Sequence, residues 1–347
     1  MTALAVGPAN YAGQASAWAA AVQRTLGVPA WSFARTEGFA FPVDRRMPAR
    51  GGALSRRVPV SDPAVAPAWS GATHVALDGF LALSGGQVAG RPGRDLAELA
   101  AAGVRPALVA HGSDVRDPLG HALRVRHSWF RTAGVPYLAL GAAAVARNRA
   151  VLLGFDGPVY VSTPDLLHDV PRATWLPLTV DLAPWAGTTP AFTQDRLPRV
   201  LHLPSRRRPA IKGTDVIDPV LRGLAAEGLC DYLAPDHMPH AELVELIKDV
   251  DVVVDQVLCD SYGTTAVEAM AAGRLVVASV LGSRDLVDDE IPVVDATPAD
   301  LDAVLRRVLT DRDGSAERAA QGPAYVTRHH DGRAAAEALR PWLGVPA

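Results

Sequence analysis

The densest set of reactive residue types is Asp260-Ser-Tyr-Gly-Thr-Thr-Ala-Val-Glu268-Ala-Met-Ala-Ala-Gly273, directly after the apolar run Val252-Val-Val-Asp255. Gly263 permits a tight turn, and Thr264 and Thr265 bring hydroxyls beside the free N–H groups of a helix start. A helix N-terminus favours anions, phosphate above all. Asp260 precedes the turn and Glu268 lies one turn inside the helix, so two carboxylates flank a phosphate site. Each can accept hydrogen bonds from sugar hydroxyls. The plain alternative is that Asp260 caps a turn and Glu268 is a solvated helix residue. A second loop, His202-Leu-Pro-Ser205-Arg206-Arg-Arg-Pro-Ala-Ile-Lys212-Gly213, carries one of the two lysines of the chain, the other being Lys248. Its alternative is a solvated basic loop. His111-Gly-Ser-Asp114-Val-Arg116 follows the apolar run Ala107–Ala110, and open α/β sheets place ligands at the C-terminal ends of their strands. A hydrogen-bonded loop histidine is the alternative there. Gly7-Pro8-Ala9-Asn10-Tyr11-Ala12-Gly13-Gln14 also follows a strand, where glycine lets backbone approach a phosphate or sugar. It is not the dinucleotide fingerprint, because Gly7 and Gly13 stand six apart and no acid ends a neighbouring second strand as required.

The elements that must hold these residues recur as an apolar run, a turn and a helical pattern. Ala3–Val6 leads to Ala15, Trp18, Ala19, Val22 and Leu26 on one helical face. Ala107–Ala110, Tyr137–Leu140, Val159–Val161 and Trp175–Leu176 read as further buried strands. Such continuous runs with helices between them indicate parallel strands covered on both faces. Pro184, Gly187, Pro190 and Pro198 break the rhythm. It restarts with Val200–His202, Tyr232–Ala234, Val250–Val254 and Leu275–Ala278, each followed by a helical pattern, and a final helix is expected over about Asp331–Leu343. The reading is two α/β units in tandem: a first domain over 1–180, a linker over 181–198, a second domain over 199–327 and a terminal helix within 328–347. Phe39–Pro67, rich in Pro, Arg and Gly, reads as loop or mobile surface. Its Arg45, Arg46, Arg56 and Arg57 could meet an anionic acceptor or a membrane surface, although a solvated loop is the simpler reading.

An acid followed eight residues later by a second acid, ending in Glu-Ala-Met-Ala-x-Gly, resembles the donor motif of retaining glycosyltransferase family 4, whose members have the GT-B fold: two Rossmann-like α/β/α domains facing across a cleft. The resemblance implies that Asp260 contacts the transferred sugar, that the backbone of Gly263, Thr264 and Thr265 holds the diphosphate, and that Glu268 binds the ribose. The loop ending in Lys212-Gly213 resembles the family's Arg…Lys-Gly loop, whose two cations grip the donor diphosphate; Lys212 is one, and one of Arg206 to Arg208, taken here as Arg206, is the other. Ala234-Pro-Asp-His237-Met238-Pro-His240 occupies the place of the base-binding loop, which puts Met238 beside the nucleobase. The first loop, with Gly13, resembles the glycine loop that closes over the donor, and His111 matches a histidine aimed at the donor sugar. The terminal helix would return to pack on the first domain. The implied activity is transfer of a sugar from a nucleotide-diphosphate sugar to an unknown acceptor, with retention of configuration and without a metal or other cofactor. Two departures bear on the donor sugar: Asp260 replaces the usual Glu, and Thr264-Thr265 replace a Phe-Gly pair. A nucleotide-sugar epimerase or hydrolase of the same fold, or a non-catalytic sugar-nucleotide binder, are the alternatives.

Composition bounds this reading. The 347 residues carry 34 Lys+Arg against 37 Asp+Glu, a net charge of −3, which argues against a general nucleic-acid binder. At 49% hydrophobic and 20% charged residues the chain is not disordered. Two cysteines, Cys230 and Cys259, cannot build a disulfide framework. No apolar run approaches the roughly 20 residues of a membrane span, and the first residues lack the basic start of a secretory signal. A cytoplasmic enzyme is expected. Asp249-Val-Asp251 spells a metal-binding DxD, but it opens a buried strand, and the adjacent His329 and His330 lack ligand spacing. Asp331 reads as a cap for the last helix, Trp18 and Trp129 as core, and Asp285 to Glu290 as a solvated acidic turn.

Overall fold

The computed structural model describes residues 1–34, 41–48, 57–84, 92–204, 211–235 and 238–346. Seven strands form the first sheet: Leu4–Gly7 (β1), Ala30–Ala34 (β2), Arg45–Arg46 (β3), His74–Asp78 (β4), Arg105–Ala110 (β5), Val159–Val161 (β6) and Thr174–Trp175 (β7). Five form the second: Arg199–His202 (β8), Asp231–Leu233 (β9), Val252–Val254 (β10), Leu275–Ala278 (β11) and Val293–Asp295 (β12). All pairings are parallel, in the orders β3-β2-β1-β4-β5-β6-β7 and β12-β11-β10-β8-β9. The central strands are buried end to end, as expected of apolar runs covered by helices on both faces. In each sheet the chain reverses direction beside the first strand laid down, between β1 and β4 and between β8 and β10. This is the switch point at which open α/β sheets leave a crevice.

The domains are joined by more than the linker. The helix Gln14–Leu26 buries Trp18, whose indole N–H donates to the carbonyl of Pro177 at 2.9 Å, while Gln14 exchanges two bonds with the backbone of Thr179. Leu178, Val180 and Trp185 then pack in the second domain's core with Tyr262 and Tyr325. His330, buried, donates from Nδ1 to the Leu178 carbonyl at 2.7 Å and meets the Tyr262 hydroxyl through Nε2 at 3.2 Å. Burial holds its pKa down at about 4. The terminal helix Arg333–Leu343 returns to the first domain and buries Ala335, Ala336, Leu339 and Leu343 with Leu4, Trp18 and Val22. Asp331 accepts from the N–H of Arg333 at 2.8 Å at its start.

Two expectations fail. Tyr137–Leu140 is not a strand; it lies in the first two turns of the helix Val135–Leu153. A four-residue apolar run has no period of its own, and the alanines that follow are the best helix formers. The stretch 39–67 is not merely loop: β3 pairs with β2, and Met47, Val60 and Val65 are buried in the first core. Those apolar residues stand singly among Pro, Arg and Gly, so neither period appears in the sequence. Arg45 lies 3.8 Å above the Trp31 ring, and Arg57 bonds Asp95 and Glu98. Both arginines therefore serve the fold. Arg46 is exposed and Arg56 lies outside the described residues.

Candidate functional site at the interdomain cleft

Lys212 and the start of the helix Thr264–Ala271 are brought together by a residue to which the sequence reading gave no role. Asp255, directly after β10, is buried; its Oδ1 is 2.9 Å from Lys212 Nζ, and its Oδ2 accepts the Gly263 N–H at 3.1 Å. The adjacency follows from the topology, since Lys212 comes from the loop after β8 and β8 lies beside β10. Three further contacts fix the lysine's backbone: Val257 N–H donates to the Lys212 carbonyl at 2.9 Å, the Cys259 thiol donates to the Ile211 carbonyl at 3.2 Å, and Gly213 sits against Val257. Gly213 has φ +89°, and a Cβ there would lie 2.7 Å from Val257 Cγ2, so both conformation and space require glycine. His202, at the end of β8, donates from Nδ1 to the Val254 carbonyl and meets the Thr214 hydroxyl through Nε2. Burial lowers its pKa to about 4, so it stays neutral beneath the loop. Burial likewise pushes the Cys259 thiol up to about 12 and leaves it inert as a nucleophile. Arg206, with its neighbours Arg207 and Arg208, lies outside the described residues.

At the helix start, Thr264, Thr265 and Ala266 have N–H groups with no intrahelical acceptor. Glu268 is buried one turn on, and its Oε1 is 2.6 Å from His240 Nε2. The hydrogen bond and charge of Glu268 raise the His240 pKa against partial burial. His240 opens the helix His240–Asp249; Met238, two residues earlier, is half-buried. Position 237 lies outside the described residues. The His240 ring also meets Phe41 from the first domain, at 5.3 Å between centroids, and Phe41 covers Gly13. Gly13 and the Glu268 end of the second domain are thus linked through two rings.

Asp260 has φ +55° and is buried, a backbone conformation uncommon for a residue with a side chain and concentrated at functional sites. Its Oδ1 accepts from the Ser279 hydroxyl at 2.9 Å, and Ser279 is in turn 2.8 Å from His127 of the first domain. A Cβ on Gly282 would come within 2.5 Å of Asp260 Oδ2, so glycine there leaves the carboxylate its place. Beside Asp260 lies a cavity of about 250 Å³ between the domains, walled by His121, Arg124, Asp165 and His168 on one side and by Cys259 and Gly282 on the other.

His111 is held more tightly than its expected role implies. Nε2 bonds Asp78, Nδ1 is 3.0 Å from the Ser162 hydroxyl, and the ring stacks on Trp18 with Tyr11 at its edge. Burial opposes the charged ring, but the charge and hydrogen bond of Asp78, aided by Asp114, outweigh it and raise the pKa. Both ring nitrogens are therefore occupied inside the first domain. Asp78 Oδ2 accepts the Asn10 N–H at 2.8 Å, which ties this pair to the loop containing Gly13. Arg116 forms an ion pair with Asp165 at 2.5 Å. Asp78 and Asp255 could have been noticed as acids ending apolar runs; nothing in the sequence joins Glu268 to His240 or His127 to Ser279.

The discounted features have structural partners. Asp251 is buried and accepts from the backbone of Phe192 and Arg199 and from Arg196, while Asp249 pairs with Arg199. His329 meets Asp289 at 3.0 Å. Trp18 and Trp129 are buried.

The sequence matches no protein-family model and no curated protein. Solved structures are similar over the whole chain. Sucrose-phosphate synthase from Thermosynechococcus elongatus superposes with a TM-score of 0.63 at 17% identity, covering 99% of this chain and 98% of that one. Anabaena HepE in complex with UDP and glucose gives 0.60 at 14% identity, with 100% of both chains covered. UDP-GlcNAc 2-epimerase from Neisseria meningitidis bound to UDP-GlcNAc gives 0.59 at 11% identity, covering 99% and 100%. The chain has the GT-B fold: two Rossmann-like domains facing across a cleft, with the terminal helix returned to the first.

Proposed function

We propose that the protein is a glycosyltransferase that moves a sugar from a nucleotide-diphosphate sugar to an acceptor held in the interdomain cleft. The observation that carries the reading is the bridge from Lys212 through Asp255 to the Gly263 N–H, which sets a cation beside the N–H groups of a helix start at the switch point of the second sheet. Lysine has three donors, so Nζ can hold Asp255 and still turn toward a diphosphate. Sugar transfer builds negative charge on the departing diphosphate, and fixed donors stabilise that charge without reorganising. In this reading Lys212, Thr264 and Thr265 hold the diphosphate, with Arg206 as the second cation by resemblance; Gly263, expected to join them, instead donates its N–H to Asp255. Glu268 binds the ribose, Met238 lies toward the base, and Gly13 closes over the donor. Asp260 holds the sugar. His111 is a positioning residue, because its two nitrogens already serve Asp78 and Ser162.

Retention of configuration is part of the proposal. The bond from the anomeric carbon to the diphosphate oxygen breaks, the acceptor oxygen bonds to the same face, and its proton passes to the departing diphosphate. The charge is met by the chain's own cations and N–H groups, so we propose no metal or other cofactor in the step. The ligands named for the similar structures, UDP with glucose and UDP-GlcNAc, support trying uridine nucleotides first. Two free buried cysteines agree with a cytoplasmic setting.

A thermal-shift screen of UDP, GDP and ADP and their sugars tests the site: one nucleoside diphosphate is expected to stabilise the protein, and no response to any of them refutes it. The epimerase among the similar structures supports a second reading, isomerisation of the donor. Product analysis without acceptor separates the two, since only an epimerase converts the nucleotide sugar into its isomer.

A further inference from the structure

Residues 118–155 contain Arg124, Arg126, Arg131, Arg147 and Arg149 and neither an aspartate nor a glutamate, in a chain where 37 of 347 residues are acidic. The same segment exposes its apolar side chains. Leu119 and Leu123, one turn apart on the helix Pro118–Arg124, are 69% and 74% exposed, and Val135, Leu140 and Leu153 on the helix Val135–Leu153 are 78%, 73% and 89% exposed. These are five of the eight exposed large hydrophobics among the described residues. The longer helix is apolar nearly all round, yet buries only Val145, Asn148 and Leu152. A helix of that composition is ordinarily covered. Pro136, Leu140, Ala143, Arg147 and Ala150 follow one another at helical spacing along its open side. The two helices adjoin where Pro118 faces Gly141 and Arg149 bonds Asp117 at 2.8 Å.

Charge selects the occupant. Arg124 is paired with Asp169 and Arg149 with Asp117, whereas Arg126 and Arg147 have no ion pair among the described residues. The acids beneath, Asp114, Asp165 and Asp169, are buried, and only Asp117 and Asp156 border the patch in sequence. A second copy docking about a two-fold axis would bring these arginines against their own kind. No helix of the described residues is long and apolar enough to cross a membrane. Apolar side chains interspersed with unpaired arginines instead suit the interface of an anionic bilayer, where leucine enters the acyl boundary and arginine meets headgroup phosphate.

We propose that this face of the first domain docks on anionic phospholipid membranes. Leu119, Leu123 and Leu140 enter the interface, and Arg126 and Arg147 contact phosphate. The helix Pro118–Arg124 turns His121 and Arg124 to the cavity beside Asp260 while Leu119 and Leu123 face outward, so docking sets that cavity one helix away from the bilayer surface.

Flotation of the full chain with vesicles tests it. Binding to an equal mixture of phosphatidylcholine and phosphatidylglycerol is expected to exceed binding to phosphatidylcholine alone by at least about tenfold and to weaken with salt. Leu123→Glu with Leu140→Glu, and separately Arg126→Glu with Arg147→Glu, are each expected to lose at least about tenfold in binding, with the wild-type thermal midpoint kept. Failure of the wild type to float, or equal flotation with both vesicle types, overturns the proposal. A concentration-dependent dimer in sedimentation velocity that Leu140→Glu dissociates, without vesicle binding, overturns it in favour of a self-interface.

Discussion

Replacing Lys212 by alanine should have two separable consequences, and the geometry gives the size of each. The first is on ligand binding: a charge-assisted hydrogen bond to phosphate contributes about 1.5–3 kcal/mol, so affinity for the preferred nucleoside diphosphate should fall about ten- to hundredfold. The second is on stability. Asp255 is buried and would keep the Gly263 N–H while losing its cation. Stranding a fully buried charge costs roughly 3–5 kcal/mol; because Lys212 is 23% exposed and water can reach its place, about 1–3 kcal/mol is the expected range. At about 2–4 °C per kcal/mol, the thermal midpoint should drop by several degrees. Lys212→Ala combined with Asp255→Asn distinguishes the two effects. Neutralising Asp255 removes the stranded charge, so most of the lost stability should return while the affinity should not. Urea unfolding and titration calorimetry with the nucleotide measure them separately. If the double variant binds the nucleotide as tightly as the wild type, Lys212 is only the counter-ion of Asp255 and the phosphate site is wrong.

Gly213→Ala should destabilise by roughly 1–3 kcal/mol through its left-handed φ and the approach of Val257; Gly228→Ala, at φ +75° with open space around it, should cost less, and equal urea midpoints for the two would remove the steric argument. Because Glu268 raises the His240 pKa, the stability that this pair contributes is present below the unfolded value of 6.5 and is lost as pH rises through the folded value. An NMR titration should place His240 above 6.5 in the wild type and lower in Glu268→Gln; no difference between them would contradict the pairing. His121, His202 and His330 are each held down at about 4 by burial, so between 6.5 and 4 the unfolded chain binds protons that the native one refuses. Each such proton costs about 1.4 kcal/mol per pH unit. Circular dichroism should therefore record acid unfolding before pH 4, and a flat stability across that range would refute the assignment. Leu339→Ala, in the returning helix, should cost about 2–5 kcal/mol; an unchanged urea midpoint would mean that this helix is not part of the first core.

Much of the architecture can be read from local order in the chain. Runs such as Val252–Val254 and Leu275–Ala278 have the continuous apolarity of strands covered on both faces, and the acid, turn and helix pattern from Asp260 to Glu268 marks a loop at a strand end. Those signals survive because each depends on neighbours within a few residues. Local order misled where it was ambiguous: Tyr137–Leu140 has strand-like composition and helical surroundings, and Met47, Val60 and Val65 reach the core without any period to announce it. What only tertiary structure decides is which chain-distant groups share a charge or a proton. Asp255 joins Lys212 to Gly263 because parallel order sets β8 beside β10. Glu268 meets His240 across two helix starts, and His111 turns its nitrogens to Asp78 and Ser162 because β5 lies between β4 and β6. Residue type fixes what a side chain can accept or donate, but its partner is set by strand order and loop closure, over separations that no spacing within the sequence records.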